Sequence, residues 1–318
     1  MTDDVRVLVE MAKMYYEENA TQHEVAKAFN VSRSLVSKYM TKAREMGIVE
    51  ITISTHDIHP HNQLEEKLKE LTGLDDIICV ENSDDMELLN HRMGIAASKY
   101  INRIVKDNMT ITVAPGRALH SLAHHYVSKI QMPNTTFVPL TGGLGEMHSD
   151  IQANVVAELM SRKSGAKLLQ LHCPVIVDSP TAREIFMEQS FIKKVLSESK
   201  KADLAIVGIG GKPTYYEMKK AYLHKIDSPV EIDTEKVESD IGYIFLDSEG
   251  NEVDTEWNKR VMTLPLDSIR NIPNVVAIAG GEEKHRGILS VVKANLINVL
   301  ITDVSSAEYL LNAMKEEN

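Results

Sequence analysis

Residues 21–38 read Thr21-Gln22-His23-Glu24-Val25-Ala26-Lys27-Ala28-Phe29-Asn30-Val31-Ser32-Arg33-Ser34-Leu35-Val36-Ser37-Lys38. Thr21 followed three residues later by Glu24 is the pattern of a capping box, in which side chain and backbone satisfy each other at a helix start. Asn30 suits the left-handed backbone of a turn, and Ser32 can cap the next helix. That helix is expected to run to about Met46, where Gly47 stops it. Val25 and Ala26 face inward, and the small Ala26 lets two helices approach closely. Phe29 and Val31 flank the turn, while Val36 with Tyr39 or Met40 returns the later helix to the core. Two helices joined in this way form a helix-turn-helix. Working outward, Val5, Leu8, Val9, Met11, Ala12, Tyr15 and Tyr16 mark an earlier helix over 5–18. On the other side Ile48-Val49-Glu50-Ile51-Thr52-Ile53 alternates like a strand, so a wing is expected.

The outer face of the later helix offers side chains suited to base edges and phosphates in a major groove. Ser32, Arg33, Ser34, Ser37, Lys38 and Lys42 are the candidates. Thr21 and Gln22 begin the preceding helix, where backbone amides can hold a phosphate. From Val31 to Arg44 the chain carries Arg33, Lys38, Lys42 and Arg44 and no acid, although its net charge is −11. The positive charge is therefore local, and the acid excess elsewhere should repel DNA from the rest of the molecule. The rival reading is a plain helical hairpin with a charged surface. The acid-free stretch and the turn chemistry favour double-stranded DNA as partner.

A chain of 318 residues suggests about two domains. No stretch reaches the ~18 consecutive apolar residues of a membrane helix, and the acidic Met1-Thr2-Asp3-Asp4 lacks a signal peptide's basic region. Cys79 and Cys173 lie far apart and read as core thiols of a reducing compartment. A cytoplasmic protein without membrane contact is expected. The helix-turn-helix is expected over 1–54, a polar linker with Pro60 over 55–62, and a second domain over 63–318.

In that second domain a helix is expected over 63–72, and then apolar runs and helical patterns alternate. Candidate strands are 76–80, 110–114, 136–140, 167–171, 204–207, 275–279 and 299–301. This alternation predicts a doubly wound α/β domain with a mostly parallel sheet, whose ligands bind at the C-terminal ends of strands. Four glycine turns follow such strands: Val113-Ala114-Pro115-Gly116-Arg117-Ala118-Leu119, Pro139-Leu140-Thr141-Gly142-Gly143-Leu144-Gly145, Val207-Gly208-Ile209-Gly210-Gly211-Lys212, and Ala279-Gly280-Gly281-Glu282-Glu283-Lys284. Glycine lets backbone approach a ligand, and a following helix N-terminus favours an anion. The recurrence points to one anion-holding pocket, with Arg117 and Lys284 adding positive charge. No P-loop and no dinucleotide fingerprint is present.

Taken together these motifs make the chain similar to the SorC-type, sugar-binding transcriptional regulators of bacteria. The resemblance runs from Met14-Tyr15-Tyr16 through Ala43-Arg44-Glu45-Met46-Gly47-Ile48-Val49-Glu50-Ile51, Pro139-Leu140-Thr141-Gly142-Gly143-Leu144, Leu171-His172-Cys173-Pro174, Ala202-Asp203-Leu204-Ala205-Ile206-Val207-Gly208-Ile209-Gly210 and Ala279-Gly280-Gly281 with Lys284, to Val299-Leu300-Ile301-Thr302-Asp303. It implies an effector domain like sugar-phosphate isomerases and deaminases, a homotetramer, and a phosphosugar that alters DNA binding. It also implies that Gly116, Arg117, Ala118, Thr141, Gly142, Gly143 and Lys284 contact the effector, beside Gly208 and Gly210 of the third turn. Asp240 matches the aspartate of the family's Gly-Asp-Ile, here Ser239-Asp240-Ile241, and the family's Gly-Trp-Gly turn is Ala114-Pro115-Gly116. One branch carries a Schiff-base lysine before the second turn's Gly-Gly. Thr141 stands there in this chain, which implies reversible binding.

The rival class is an isomerase or deaminase on the same fold. Deaminases place Asp-Gly-His soon after the third turn's Gly-x-Gly, whereas this chain continues Gly211-Lys212-Pro213-Thr214. The acid–base residues are missing, so no catalytic residue is assigned. His56, His59 and His61 read as linker, and His120, His124 and His125 as packing or surface residues. No metal or cofactor is expected.

Overall fold

The computed structural model describes residues 5–18, 20–49, 60–144, 149–212 and 235–316. They fall into two compact units that divide between Pro60 and His61. In the smaller unit α1 (Val5–Tyr16), α2 (Gln22–Ala28) and α3 (Arg33–Glu45) close on a core of Leu8, Met11, Ala12, Val25, Ala26, Val36, Met40 and Ala43. Met40 takes the core place and Tyr39 packs at its edge.

Short-range hydrogen bonds explain why the helices break where they do. The Thr21 hydroxyl accepts the Glu24 N–H at 3.3 Å, and the Glu24 carboxylate accepts the Thr21 N–H at 2.7 Å. Asn30 adopts a φ of 52°, and the Val31 N–H reaches the Ala26 carbonyl at 2.9 Å. The Ser32 hydroxyl accepts the Leu35 N–H at 3.2 Å. After α3, Gly47 (φ 69°) donates to the Arg44 carbonyl and Ile48 to the Ala43 carbonyl, the paired bonds of a glycine-closed helix end. The expected wing strand is corrected in its first residues. Ile48 and Val49 both donate to Ala43 and belong to that helix end, not to a strand. Residues 50–53 of the expected strand, and 55–59 of the expected linker with His56 and His59, lie outside the described residues.

The larger unit opens with α4 (Asn62–Thr72) and β1 (Asp76–Val80), followed by α5 (Met86–Ile104) and β2 (Thr110–Val113). Next come α6 (Arg117–His125), β3 (Thr136–Pro139), α7 (Ala153–Ser164), β4 (Lys167–Leu168), α8 (Pro180–Glu188), α9 (Ser190–Lys200) and β5 (Leu204–Gly208). The chain ends with β6 (Ser239–Ile241), β7 (Ile244–Leu246), α10 (Leu266–Arg270), β8 (Val275–Ile278), α11 (His285–Lys293), β9 (Val299–Asp303) and α12 (Val304–Glu316). Seven strands form one parallel sheet in the order β1-β9-β8-β5-β2-β3-β4. Every residue of β8 and β9 is buried. Successive strand residues point to opposite faces, so both faces of the sheet are covered.

The winding sets the site. After β2 the chain adds strands toward β4, and after β5 it adds them toward β1. Adjacent β2 and β5 therefore lead away in opposite directions, and their C-terminal ends flank the crevice where such sheets bind ligands. The first and third glycine turns leave those two ends.

Two details depart from the sequence reading. The strand expected over 167–171 pairs only at Lys167 and Leu168. Beyond it the Asn154 carboxamide takes both backbone groups of Leu171, at 2.9 and 3.0 Å, in place of a neighbouring strand. The motif Ser239-Asp240-Ile241 lies in an antiparallel hairpin that the sequence reading did not assign. Its two-residue turn is Gly242-Tyr243, both at positive φ (55° and 69°), the geometry that matches strand twist in a tight hairpin. The Asp240 carboxylate accepts the Tyr243 N–H at 3.0 Å and holds that strained tyrosine in place.

Candidate effector cavity and nucleic-acid interface

On the small unit α3 exposes Arg33, Ser34, Ser37 and Lys38 along one face, with Ser32 exposed at its start and Lys42 half-buried. The Ser32 hydroxyl is engaged as the helix cap. Arg33 Nε donates to Gln22 Oε1 at 3.4 Å, which brings the start of α2 beside the start of α3. The Thr21 position differs from the expected phosphate seat. The Glu24 carboxylate folds over that helix end and also accepts the Thr21 hydroxyl at 2.8 Å. The Thr21 backbone N–H, then its hydroxyl, hold the Glu24 carboxyl below the usual carboxylate range. The helix start expected to hold a phosphate thus carries the negative charge of Glu24 beside it. Arg33→Ala is expected to weaken operator binding by about 1–3 kcal/mol, and Lys38→Ala to lower the salt dependence by about one phosphate's worth. Filter binding over a salt series checks both; an unchanged slope in Lys38→Ala would remove it from the interface.

On the large unit a cavity of about 290 Å³ opens at the switch between β2 and β5. Seven of the ten expected effector residues line it: Gly116, Arg117, Ala118, Gly208, Gly210, Asp240 and Lys284. Gly116 (φ 137°) turns the chain from β2 into α6, a conformation closed to side-chain-bearing residues. Its N–H is bound to the Ile151 carbonyl at 2.9 Å. The next amides, of Arg117, Ala118 and Leu119, belong to cavity-lining residues at the positive end of α6. Pro115 has no N–H to offer.

Lys284 and Asp240 set the cavity's electrostatics. Burial pushes the Lys284 ammonium below the ordinary lysine range, and the like charge of Arg117 adds to this while Asp240 opposes it. Glu283 and Asp303 also oppose the depression, so the lysine sits among carboxylates as well as beside an arginine. Asp303, at the end of β9, holds the loop that carries Lys284. Its carboxylate accepts the Gly281 N–H at 3.0 Å and the hydroxyls of Ser305 and Ser306. Burial alone would raise this carboxyl, but those hydrogen bonds together keep it below the usual range.

The second glycine turn reaches the cavity only through Leu144. Thr141, Gly142 and Gly143 do not line the cavity, because they are drawn into pairing with distant segments. The Gly142 N–H donates to Met262, and Gly143 exchanges bonds with Cys173 and Val175, each at 2.8 Å. A Cβ on Gly142 would lie 2.7 Å from the Cys173 carbonyl oxygen, so glycine is needed here for close approach. The Thr141 methyl lies 3.5 Å from a Cβ built on Gly242, behind the cavity wall. Leu144, Gly211 and Glu283 of the glycine-turn segments line the cavity too, whereas Met86, Asn90, Ile151, Gly242 and Tyr243 line it without having been singled out for it. Trp257 and Tyr243 are coupled. The buried Trp257 donates from Nε1 to the Tyr243 carbonyl at 2.7 Å and stacks on Phe245.

The described family "Putative sugar-binding domain" matches residues 56–312. With the switch-point cavity between the same glycine turns, that match decides the question. The chain belongs to the SorC-type family of sugar-binding transcriptional regulators. It is 28% identical to the sorbitol operon regulator of Klebsiella pneumoniae over 98% of this chain and 99% of that one. The crystal structure of that full-length regulator superposes with a TM-score of 0.73, covering 98% of this chain and 100% of that one. The deoxyribonucleoside regulator of Bacillus subtilis is 24% identical over 96% of each chain. As a SorC-type chain this protein joins a helix-turn-helix to a sugar-binding effector domain, and its partners are DNA and a sugar effector. None of the helices among the described residues is long and apolar enough to cross a membrane.

Proposed function

We propose that this chain regulates a carbohydrate-utilisation operon, and that a phosphorylated sugar held in the cavity modulates its operator binding. The carrying observation is the depressed Lys284 facing the same cavity as Arg117 and the N-terminus of α6. This supports a phosphate at that end. Asp240, Glu283 and the Asn90 carboxamide line the same space and suit sugar hydroxyls. Relatives named for sorbitol and deoxyribonucleosides support a sugar as the rest of the ligand. Thr141 offers no amine where one branch of the family carries a Schiff-base lysine, which supports reversible binding. The family resemblance supports a homotetramer built as a pair of dimers, in which the sugar favours one arrangement of the large domains. A regulatory and not a catalytic role is supported by the regulator relatives and by the missing Asp-Gly-His.

Thermal unfolding against sugar phosphates and their unphosphorylated parents tests the reading, since a native-state ligand raises the melting temperature by mass action. A rise with one phosphorylated compound and not its parent is expected. A rise with the parent alone would remove phosphate from the proposal, and a bound sugar that left operator affinity unchanged would remove the switch.

A further inference from the structure

The helix that frames the cavity carries a second arrangement that the effector does not use. His120 and His124 lie four residues apart on α6 and so share one helix face, one turn apart. Their Nε2 atoms are 3.0 Å apart, with ring centroids at 4.4 Å and planes at 79°. Two imidazoles on a tetrahedral zinc ion, with Zn–N of about 2.0–2.1 Å, place their nitrogens about 3.3 Å apart. A small side-chain adjustment therefore turns this histidine–histidine hydrogen bond into a chelate. We propose that His120 and His124 bind one late first-row divalent cation, of the zinc, copper or nickel class, through their Nε2 atoms.

The surroundings fit such a site. Metal binding requires deprotonated imidazoles, and a histidine–histidine hydrogen bond needs at least one ring nitrogen as acceptor. The charge of Asp150 also reaches His120 and is of the sign that favours a cation. His120 is half-buried and His124 exposed, so the pair is anchored on one side and open to water on the other. Among the described residues no third histidine, cysteine or carboxylate completes a cluster, so water fills the remaining positions. The helix is fixed at both ends, by the Gly116 N–H on the Ile151 carbonyl and by Lys163 Nζ on the carbonyls of Ala123 and His124. This fixes the backbone spacing of the two rings before the ion arrives. The nearby pair His91 and His125 meets edge to face at the same 4.4 Å, yet His125 Nδ1 is engaged by the Ser121 carbonyl at 2.7 Å. Imidazole selects zinc, copper and nickel over magnesium and calcium, which take oxygen ligands.

Calorimetric titration of the full chain with Zn²⁺ and with Mg²⁺, without any sugar present, tests this independently of the effector reading. One zinc ion per chain and no magnesium binding are expected. His124→Gln changes an exposed side chain and keeps the fold, which circular dichroism verifies. It should weaken zinc binding by more than the roughly 10–100-fold that losing an outer partner costs, and His120→Gln should do the same. Zinc binding of unaltered strength in both variants, or no zinc binding by the parent chain, would overturn the proposal.

Discussion

Lys284→Met is expected to weaken phosphosugar binding by about 2–5 kcal/mol, a factor of roughly 30 to several thousand, while leaving sugar-free operator binding intact. Methionine keeps the length and apolar stem of the lysine, so the loop from Gly281 retains its packing. What goes is the cation, and with it the partner of a buried anionic group. A second reading follows from the same side chain. Because burial and Arg117 depress its titration, the folded protein binds this proton less tightly than the unfolded chain. The charged form therefore costs stability at low pH. That cost fades as pH rises through the depressed value toward the ordinary lysine value of about 10.4. An anion in the cavity reverses the depression. Phosphosugar binding at a pH near or above the depressed value should take up a proton, and its calorimetric heat should then vary with the ionisation heat of the buffer. Lys284→Met should abolish that variation. Binding heats identical across buffers and pH in the parent chain would separate Lys284 from the phosphate.

The features legible in the sequence are those whose partners are close in the chain. The helix-turn-helix is written in contacts of three to five residues: Thr21 with Glu24, Val31 with Ala26, Ser32 with Leu35, Ile48 with Ala43. Turn chemistry alone places them, and the one error there, the strand begun at Ile48, came from reading alternation where a helix cap needed the same backbone. The cavity was legible where a glycine turn follows a strand bordering the switch point, as at Gly116 and Gly208. It was not legible where a turn's partners are remote. Nothing near Gly142 in sequence announces that Cys173 and Met262 will claim its surroundings. Asn90 had a usable signal. It is a polar residue among Leu89, Met93, Gly94 and Ala97 on the buried face of α5, and a buried carboxamide needs a partner or a ligand. The hairpin that presents Asp240 had a weaker one, since a turn with glycine first and tyrosine second departs from the usual Asn-Gly pattern.

Asp303→Ala is expected to cost the large unit about 3–5 kcal/mol of stability. The carboxylate is buried and accepts the Gly281 N–H and the hydroxyls of Ser305 and Ser306. Hydrogen bonds to a charged acceptor contribute about 1.5–3 kcal/mol each. Alanine leaves three donors stranded, though their effects overlap because they share one acceptor. Asp303→Asn keeps an acceptor oxygen and should lose less. The pH dependence has a definite sign. Hydrogen bonding holds the folded carboxyl below its unfolded value of about 3.9, so its stabilisation is complete above that pH and is lost as pH falls through the folded value. Urea unfolding followed by tryptophan fluorescence reads the large unit alone, because Trp257 is the only tryptophan in the chain. It reports on the cavity as well, through its bond to the Tyr243 carbonyl. An Asp303→Ala midpoint shift equivalent to less than about 1 kcal/mol, typical of a surface position, would show that the Gly280-Gly281 turn holds its shape without the carboxylate. A large loss with a smaller one in Asp303→Asn would show that the loop presenting Lys284 is built from the end of β9. Any weakening of sugar binding in Asp303→Asn at full folding would then come from a misplaced Lys284, a positioning effect acting through Gly281.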